Sequence, residues 1–210
     1  MSGLAPGEPS DAVLLRRHAD GDAEAFGLLF RRHKDRLWAV ALRITCDPDD
    51  AADALQEAMI SAFRRAGDFR AESAVTTWLH RIVVNASLDL LRRRAKRSVS
   101  WSGDPDELPA GEPRQQADNA AATDSRLDVD AALRRLPPPQ RAALVLVDML
   151  GYSVADAALI LGASEGTVKS RCARGRARLL PYVSHLRAGY RDERNQPVAD
   201  GVPSEQGGGG

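Results

Sequence analysis

Four shortages narrow the reading before any motif is considered. Aromatic residues make up only 5% of the 210 positions, and long alternating β-branched runs are absent. Ala, Leu and Arg are plentiful instead, so the first expectation is an all-α protein. The two cysteines, Cys46 and Cys172, cannot build a disulfide framework or a four-ligand zinc site. They fall in different predicted domains, which weighs against a redox pair. No stretch reaches the ~18 apolar residues of a membrane span, and the N-terminus lacks the basic start and apolar run of a signal peptide. A cytoplasmic protein is expected. Finally, no charge imbalance exists, because 29 Lys and Arg face 29 Asp and Glu. A protein that binds DNA as a free agent is often basic overall. Here the charge is sorted along the chain instead.

The most informative stretch present is Gly151–Leu180, GYSVADAALILGASEGTVKSRCARGRARLL. Val154, Ala157, Ala158 and Leu161 line one face of a first helix, from about Ser153 to Leu161. Gly162 lets the chain leave that helix, and Ser164 can cap a second, from about Glu165 to Leu180. Val168, Cys172, Gly175 and Leu179 form its buried seam at i, i+4, i+7 and i+11. Thr167, Lys169, Ser170, Arg171, Arg174 and Arg178 remain outside. That pattern is a helix-turn-helix with a recognition helix, whose early side chains can reach base edges while later guanidiniums hold phosphates. A plain helical hairpin with a solvated Arg face shares the same spacing.

Residues 1–9 are rich in Pro and Gly, and disorder is expected there. A short helix capped by Ser10 follows and is closed by Asp20-Gly21-Asp22. A long helix from about Asp22 to Thr45 carries Phe26, Leu29, Phe30, His33, Leu37, Val40, Ala41 and Ile44 on one face. His33 is a packed core residue on this reading, since no second His or Cys sits at ligand spacing. Asp47-Pro48 opens the next helix. Its expected buried face is Ala51, Leu55, Met59, Ala62 and Phe63, with Asp50, Asp53, Gln56 and Glu57 opposite. Acids near a helix start complement its dipole, but Gln56 and Glu57 lie too far in for that. They suggest a docking face for a basic partner.

Gly67 ends this helix, and Asp68–Thr77 is expected to be an ordered loop containing Phe69. Trp78, Leu79, Ile82, Val83, Ala86 and Leu90 then mark another helix, with Arg81 and Asn85 outward. Its end holds Arg92, Arg93, Arg94, Lys96 and Arg97, five cations in six residues. Helix-end cations favour their own dipole, yet this cluster exceeds that need and suits a phosphate backbone. Asn85 beside it could read an exposed base edge. Residues 98–125 carry repeated Gly and Pro with Asp104, Asp106, Glu107, Glu112, Asp118 and Asp124 against a single Arg114. This is a flexible acidic linker by composition, and it cancels much of the flanking basic charge. Arg126–Leu136 and the segment after Pro137-Pro138-Pro139 supply two more helices. Residues 188–210 form a polar tail ending in Gly207–Gly210, expected to be disordered.

Taken in order, DDAADALQEAMISAF, FRAESAVTTWLHRIVVNASLDLLRRR, the acidic linker, LRRLPPPQRAALVLVDMLGYS and LGASEGTVKSRCARGRARL resemble one family. It is the extracytoplasmic-function class of bacterial RNA polymerase sigma factors, the small two-domain branch of the sigma-70 family. The set looks especially like the actinobacterial sigma-M type, and the likeness covers about residues 10–187. It implies sigma-70 region 2 over residues 10–97 and region 4 over residues 126–187. Asp53, Ala54, Leu55, Gln56 and Glu57 would dock on the β′ clamp helices of core RNA polymerase, and the β flap is a further expected polymerase contact. Phe69, Trp78, Arg81 and Asn85 would meet unstacked bases of the −10 element of promoter DNA, with Arg92, Arg93, Arg94, Lys96 and Arg97 on the adjoining backbone. Glu165, Thr167, Lys169, Ser170, Arg171, Arg174 and Arg178 would read the −35 element. The linker would thread the polymerase channel toward the active site. An anti-sigma factor, often membrane-anchored among relatives, is an expected partner. The chain departs from the family at Ala74-Val75, where many relatives carry an aromatic, and at Gly175, where Ala is usual. Two other readings compete. One is a free-standing helix-turn-helix regulator, which predicts duplex binding without polymerase. The other is an enzyme, but no phosphate loop, nucleophile–base set or metal constellation is visible, and neither cofactor nor small-molecule substrate is expected.

Overall fold

Five of the helices begin where a short polar side chain, Ser10, Asp22, Asp47, Ser153 or Ser164, accepts a backbone N–H. The computed structural model describes residues 8–98 and 124–192. Expectations for residues 1–7, for most of the acidic linker and for the last residues of the tail lie outside them. Every regular element among the described residues is helical, as the composition suggested. Helix α1 spans Asp11–Ala19 with Ser10 as its cap, and α2 spans Ala23–Thr45 with Asp22 accepting from Glu24 and Ala25. Asp47 caps α3, Pro48–Arg64, which starts with proline in its first turn. A 3-10 turn at Ala66–Asp68 leads through a short loop to α4, Val75–Ser98. That helix starts two residues before the expected loop end at Thr77.

The first domain packs α2, α3 and α4 against one another, with α1 laid on α2. Leu14, Leu15, Leu29, Leu37, Val40, Ile44, Leu79 and Val83 are buried together. Arg32 and His33 of α2 both reach Asp11, at 2.6 and 2.8 Å, and tie α1 down. His33 is thus a partnered core residue.

The α3 seam differs from the sequence expectation. Its buried residues are Ala51, Ala54, Ala58 and Ala62, with Asp50 at the start. Leu55 and Met59 are half-buried, and Phe63 is 49% exposed. The helix is turned so that its smallest side chains face α2 and α4. Side-chain bulk favoured Leu55 and Phe63 in the sequence, whereas the close approach of three helices favours alanine. Two corrections follow: Ala54 belongs to the core and cannot touch a partner directly, and Asp50 is not part of the outer acidic face.

In the second half, α5 spans Asp124–Arg134 and α6 spans Pro138–Leu144, continuing as a π-helical turn over Val145–Met149. Helix α7, Val154–Leu161, is capped by Ser153 and ends at Gly162, whose φ of 59° is left-handed. Helix α8 spans Glu165–Asp192 and packs on α5, α6 and α7. It runs beyond the Leu180 expected from the pattern, through Pro181 to Asp192, so residues 188–192, expected to belong to a disordered tail, are helical. Val168 and Cys172 are buried on its inner seam, as the spacing implied, but on α7 it is Ile160 that is buried while Leu161 is half-exposed.

The two halves also pack on each other: α7 and α6 lie against α4, and α6 against α2. Consequently α4 is buried on more than the single expected stripe; Val84, Ser87 and Leu88 are covered too. His80 is 0% exposed, and its Nδ1 lies 2.6 Å from the Tyr152 hydroxyl. Arg141 of α6 is 2% exposed. It donates to the Cys46 sulfur at the end of α2 and to the Leu136 carbonyl, the latter at 3.2 Å.

Two outcomes are expected. A Cβ built on Gly175 would lie 2.8 Å from Leu144 Cδ1 and 3.2 Å from its Cγ. Gly175→Ala gains ~1 kcal/mol of helix propensity but overpacks a filled seam, which costs about 1–3 kcal/mol. Urea unfolding should show net destabilisation of roughly 1 kcal/mol, and the same change in a Leu144→Ala background should show none. His80 is held down to about pKa 4, first by burial and then by the charges of Arg36 and His33. The unfolded state therefore binds the extra proton first, and stability is full above the ordinary His range. It falls as pH drops from about 6.5 toward 4, by on the order of 3 kcal/mol at most. Replacing His80 with Gln should flatten that part of the stability–pH curve.

Candidate nucleic-acid and partner interfaces

Turning the alanine seam inward fixes what α3 shows outside. Asp53, Gln56, Glu57 and Ile60 are all exposed, at i, i+3, i+4 and i+7. Ile60 is 46% exposed and was not singled out from sequence, though its position one turn after Gln56 was a sufficient signal. The surface is thus acidic and amide-bearing with one apolar side chain in its midst. Leu55 flanks it, half-buried, and Ala54 supports it from within the core.

Helix α4 presents a second surface beside the first. Trp78, Arg81, Asn85, Arg92 and Lys96 recur at helical spacing along it. Phe69, from the preceding loop, meets Trp78 edge-on with ring centroids 5.6 Å apart. That pair is half-buried, as is Asn85, while Arg81, Arg92, Arg93, Lys96 and Arg97 are exposed. In the same loop Ala71 takes a left-handed φ of 56°, a strained backbone for a residue with a side chain.

Charges on the two surfaces meet. Arg93 donates to Glu57 at 2.6 Å, and this hydrogen bond raises the Arg93 pKa further. Arg94 is ion-paired with the buried Asp50, and Arg92 contacts Asp89 at 2.6 Å. The basic cluster is therefore partly neutralised by carboxylates from its own domain. Sequence placed Arg94 among outward-facing cations; the structure ties it to the α3 start as well.

The recognition helix is built by its cap. Ser164 Oγ accepts from the Thr167 N–H at 3.1 Å, and the two hydroxyls lie 2.9 Å apart. Ser170 Oγ donates to the Thr167 carbonyl at 2.9 Å, and Arg174 donates to Ser170 Oγ at 3.2 Å. Lys169 lies 3.5 Å from Glu165 one turn earlier. Arg178 donates to Gln140 at 3.1 Å, which leans it toward the start of α6. Glu165, Lys169, Arg174 and Arg178 are exposed, and Thr167, Ser170 and Arg171 are half-buried. Arg176, on another face, grips Asp148 with two nitrogens at 2.6 and 3.0 Å and braces α8 against the π turn.

Burial raises both thiols, Cys46 and Cys172, above their ordinary pKa. Neither is an activated nucleophile. No group of three metal-ligating side chains occurs among the described residues, and no described helix is long and apolar enough to cross a membrane.

A helical bundle with acidic and basic faces, joined to a helix-turn-helix with a polar recognition face, defines a class: a helical DNA-binding protein with a protein-docking surface. The comparisons narrow it. Residues 29–97 match the model of Sigma-70 region 2, and residues 126–179 match Sigma-70, region 4. The chain is 49% identical over 187 residues to the ECF RNA polymerase sigma factor SigM of Mycobacterium tuberculosis, covering 89% of this chain and 91% of that one. It is 40% identical to the ECF RNA polymerase sigma factor SigE of Mycolicibacterium smegmatis, covering 84% and 69%. Among solved structures, CnrH in complex with the cytosolic domain of CnrY matches at 29% identity with a TM-score of 0.58, covering 84% of this chain and 99% of that one. The sigma factor RpoE in complex with the anti-sigma factor NepR from Bartonella quintana matches at 26% and 0.60, covering 77% and 98%. This chain belongs to the extracytoplasmic-function sigma factors of the sigma-70 family. Members of that family are initiation factors that direct RNA polymerase to promoters.

The Arg93–Glu57 pair lies at the surface, where solvent screening leaves such pairs little weight in folding. Arg93→Ala should therefore leave the thermal midpoint within about 2 °C of the parent, so any loss of DNA affinity in that variant reports on DNA contact and not on folding.

Proposed function

We propose that the exposed face of α3 docks on core RNA polymerase and that the two basic surfaces divide the promoter between them. The observation that carries this reading is the adjacency of an acidic, amide and apolar face on α3 to a cationic stripe on α4. Asp53, Leu55, Gln56, Glu57 and Ile60 form the polymerase side, opposite the β′ clamp helices. Phe69, Trp78, Arg81 and Asn85 take the melted −10 bases, with Arg92, Arg93, Arg94, Lys96 and Arg97 along the backbone. Stacking on aromatics and a preformed pocket offset the few kcal/mol needed to extrude a base. Glu165, Thr167, Lys169, Ser170, Arg171 and Arg174 enter the −35 major groove, and Arg178 holds a phosphate. Residues 10–97 and 126–187 act as the two promoter-binding domains. The β flap is the partner of the second, and residues 98–125 join the domains along the polymerase channel.

Binding energy, and no covalent step, accomplishes this function in the cytoplasm. Control by an anti-sigma factor is supported by the two structural neighbours, both solved with partner proteins. Such a partner, membrane-anchored in the fullest form of the proposal, covers the same docking and DNA faces.

Run-off transcription with core polymerase on a promoter-fragment library tests the reading. Start sites should appear only when the protein is added. Gln56→Ala should weaken polymerase binding by roughly tenfold, in line with about 1–2 kcal/mol for a lost polar contact. Arg174→Ala should relax −35 discrimination by about 1–3 kcal/mol while leaving polymerase affinity unchanged. Specific duplex binding without polymerase, and no new start sites with it, would point to a free-standing regulator.

A further inference from the structure

One acidic side chain stands in a recognition face otherwise made of hydroxyls and cations. Glu165 is the first residue of α8, and Lys169, one turn later, brings its Nζ to 3.5 Å from the Glu165 carboxylate. Both side chains are exposed. Two ordinary roles account for part of this. An acid in the first turn complements the helix dipole, and a Glu–Lys pair at i, i+4 gives an exposed helix a little support. Neither explains an acid on the face turned toward DNA, where phosphates repel it.

The residue that follows Glu165 is bare. Gly166 is exposed and has ordinary helical backbone, with no left-handed φ that would demand glycine. Beyond its chain neighbours and its own helix, a Cβ built there would meet only Ser164 Oγ, at 3.8 Å. Nothing inside the chain forbids alanine, which forms helix better. The clear space beside Glu165 suits a group that arrives from outside, as a base edge does when a helix lies in the major groove.

We propose that Glu165 and Lys169 together read one C·G base pair of the −35 element, with Gly166 admitting the helix backbone close to that pair; this rests on the −35 contact proposed above. Cytosine presents its N4 amino group as a donor in the major groove, and guanine presents acceptors at O6 and N7. A Watson–Crick hydrogen bond joins N4 to O6, so these groups lie about 2.9 Å apart. The carboxylate and the ammonium offer the complement, an acceptor and a donor 3.5 Å apart. Glu165 accepts from N4 while Lys169 donates to O6 or N7. An A·T pair fits less well, because across from adenine N6 it gives the ammonium one acceptor, O4, beside the thymine methyl. Lys169 also neutralises Glu165, so the carboxylate enters the groove without an uncompensated charge. The hydroxyls of Ser164, Thr167 and Ser170 are taken up by the helix cap and the first turn, which leaves the charged pair as the part of that turn aimed outward.

The test is run-off transcription by core polymerase with the full-length protein on promoters randomised over the −35 region, with transcripts counted by sequencing. The parent should favour C·G at one −35 position by about 5- to 150-fold. Glu165→Ala should flatten that position alone. Glu165→Gln should move its preference toward adenine, which a glutamine amide pairs at N6 and N7. Lys169→Met should lose discrimination at the same position, and the double variant should lose less than the two single losses combined. Gly166→Ala should keep or raise the thermal midpoint, yet cut transcription from the favoured promoter by about fivefold or more. Circular dichroism should show every variant folded. Output that falls equally for all −35 sequences would make the pair mere helix support and overturn the proposal. Effects of the two residues at different base pairs, or an A·T preference at the Glu165-dependent position, would overturn it as well. A Gly166→Ala variant as active as the parent would overturn the close approach. A parent with no −35 preference at all would strike the promoter reading itself, whereas a parent selecting −35 bases that do not respond to Glu165 would overturn only the base-pair assignment.

Discussion

The close approach of α3 to α2 and α4 is the constraint on which the first domain depends. Ala51, Ala54, Ala58 and Ala62 all lie at the contact, and such small side chains let helix axes come nearer than leucines would. Two consequences follow from that one choice. The outer face of α3 is fixed as Asp53, Gln56, Glu57 and Ile60, because these are what remains when the alanines turn in. The end of α4 is brought within hydrogen-bond reach of α3, so Glu57 meets Arg93 and Asp50 meets Arg94. A bulkier seam would separate an acidic surface from a basic one. The alanine seam makes them neighbours.

Local chemistry was the part of this fold most readily legible in the sequence. Ser10, Asp47 and Ser164 act as the caps their positions suggested, and the structure adds Asp22 and Ser153. Gly162 leaves its helix through a left-handed turn, and Val168 and Cys172 line the inner seam of α8. These features depend on a few consecutive residues, so the sequence alone carries them. The misreadings have a common origin in contacts between distant segments. Leu55 and Phe63 were favoured for burial by bulk, yet α3 turns its alanines inward because two other helices must fit against it. The broad burial of α4, and the partners of His80 and Arg141, arise from segments that are 72 and 95 residues away. No periodicity within α4 or α6 could announce them. The end of α8 was also misjudged: the apolar seam was followed only to about Leu180, and the helix continues through Pro181.

The site residues show the same division. Those on one helix face, such as Trp78, Arg81 and Asn85, follow from spacing. Whether a cation is already spoken for does not. Arg92, Arg93 and Arg94 look equivalent in a run of like charges, but they contact Asp89, Glu57 and Asp50 in turn, and only the last of these carboxylates is buried. Arg174 and Arg176 look equivalent as well. One leans along the recognition face toward Ser170, while the other is a brace to Asp148.

These pairings give the zero net charge a physical meaning. A guanidinium that leaves a carboxylate for a phosphate exchanges one charge-assisted hydrogen bond for another, so the net gain is much smaller than for a cation taken from water. Counterion release still favours DNA, but the internal acids compete with it at Arg92, Arg93 and Arg94. On the proposed DNA contacts, the same pairings that organise the domain oppose DNA binding in the free protein. On the proposed docking, a basic partner on α3 draws Glu57 away from Arg93 and leaves that guanidinium available to phosphate. Balanced charge is then what makes DNA affinity conditional on the protein partner. A strongly basic chain of the same fold would bind DNA everywhere and gain little from docking.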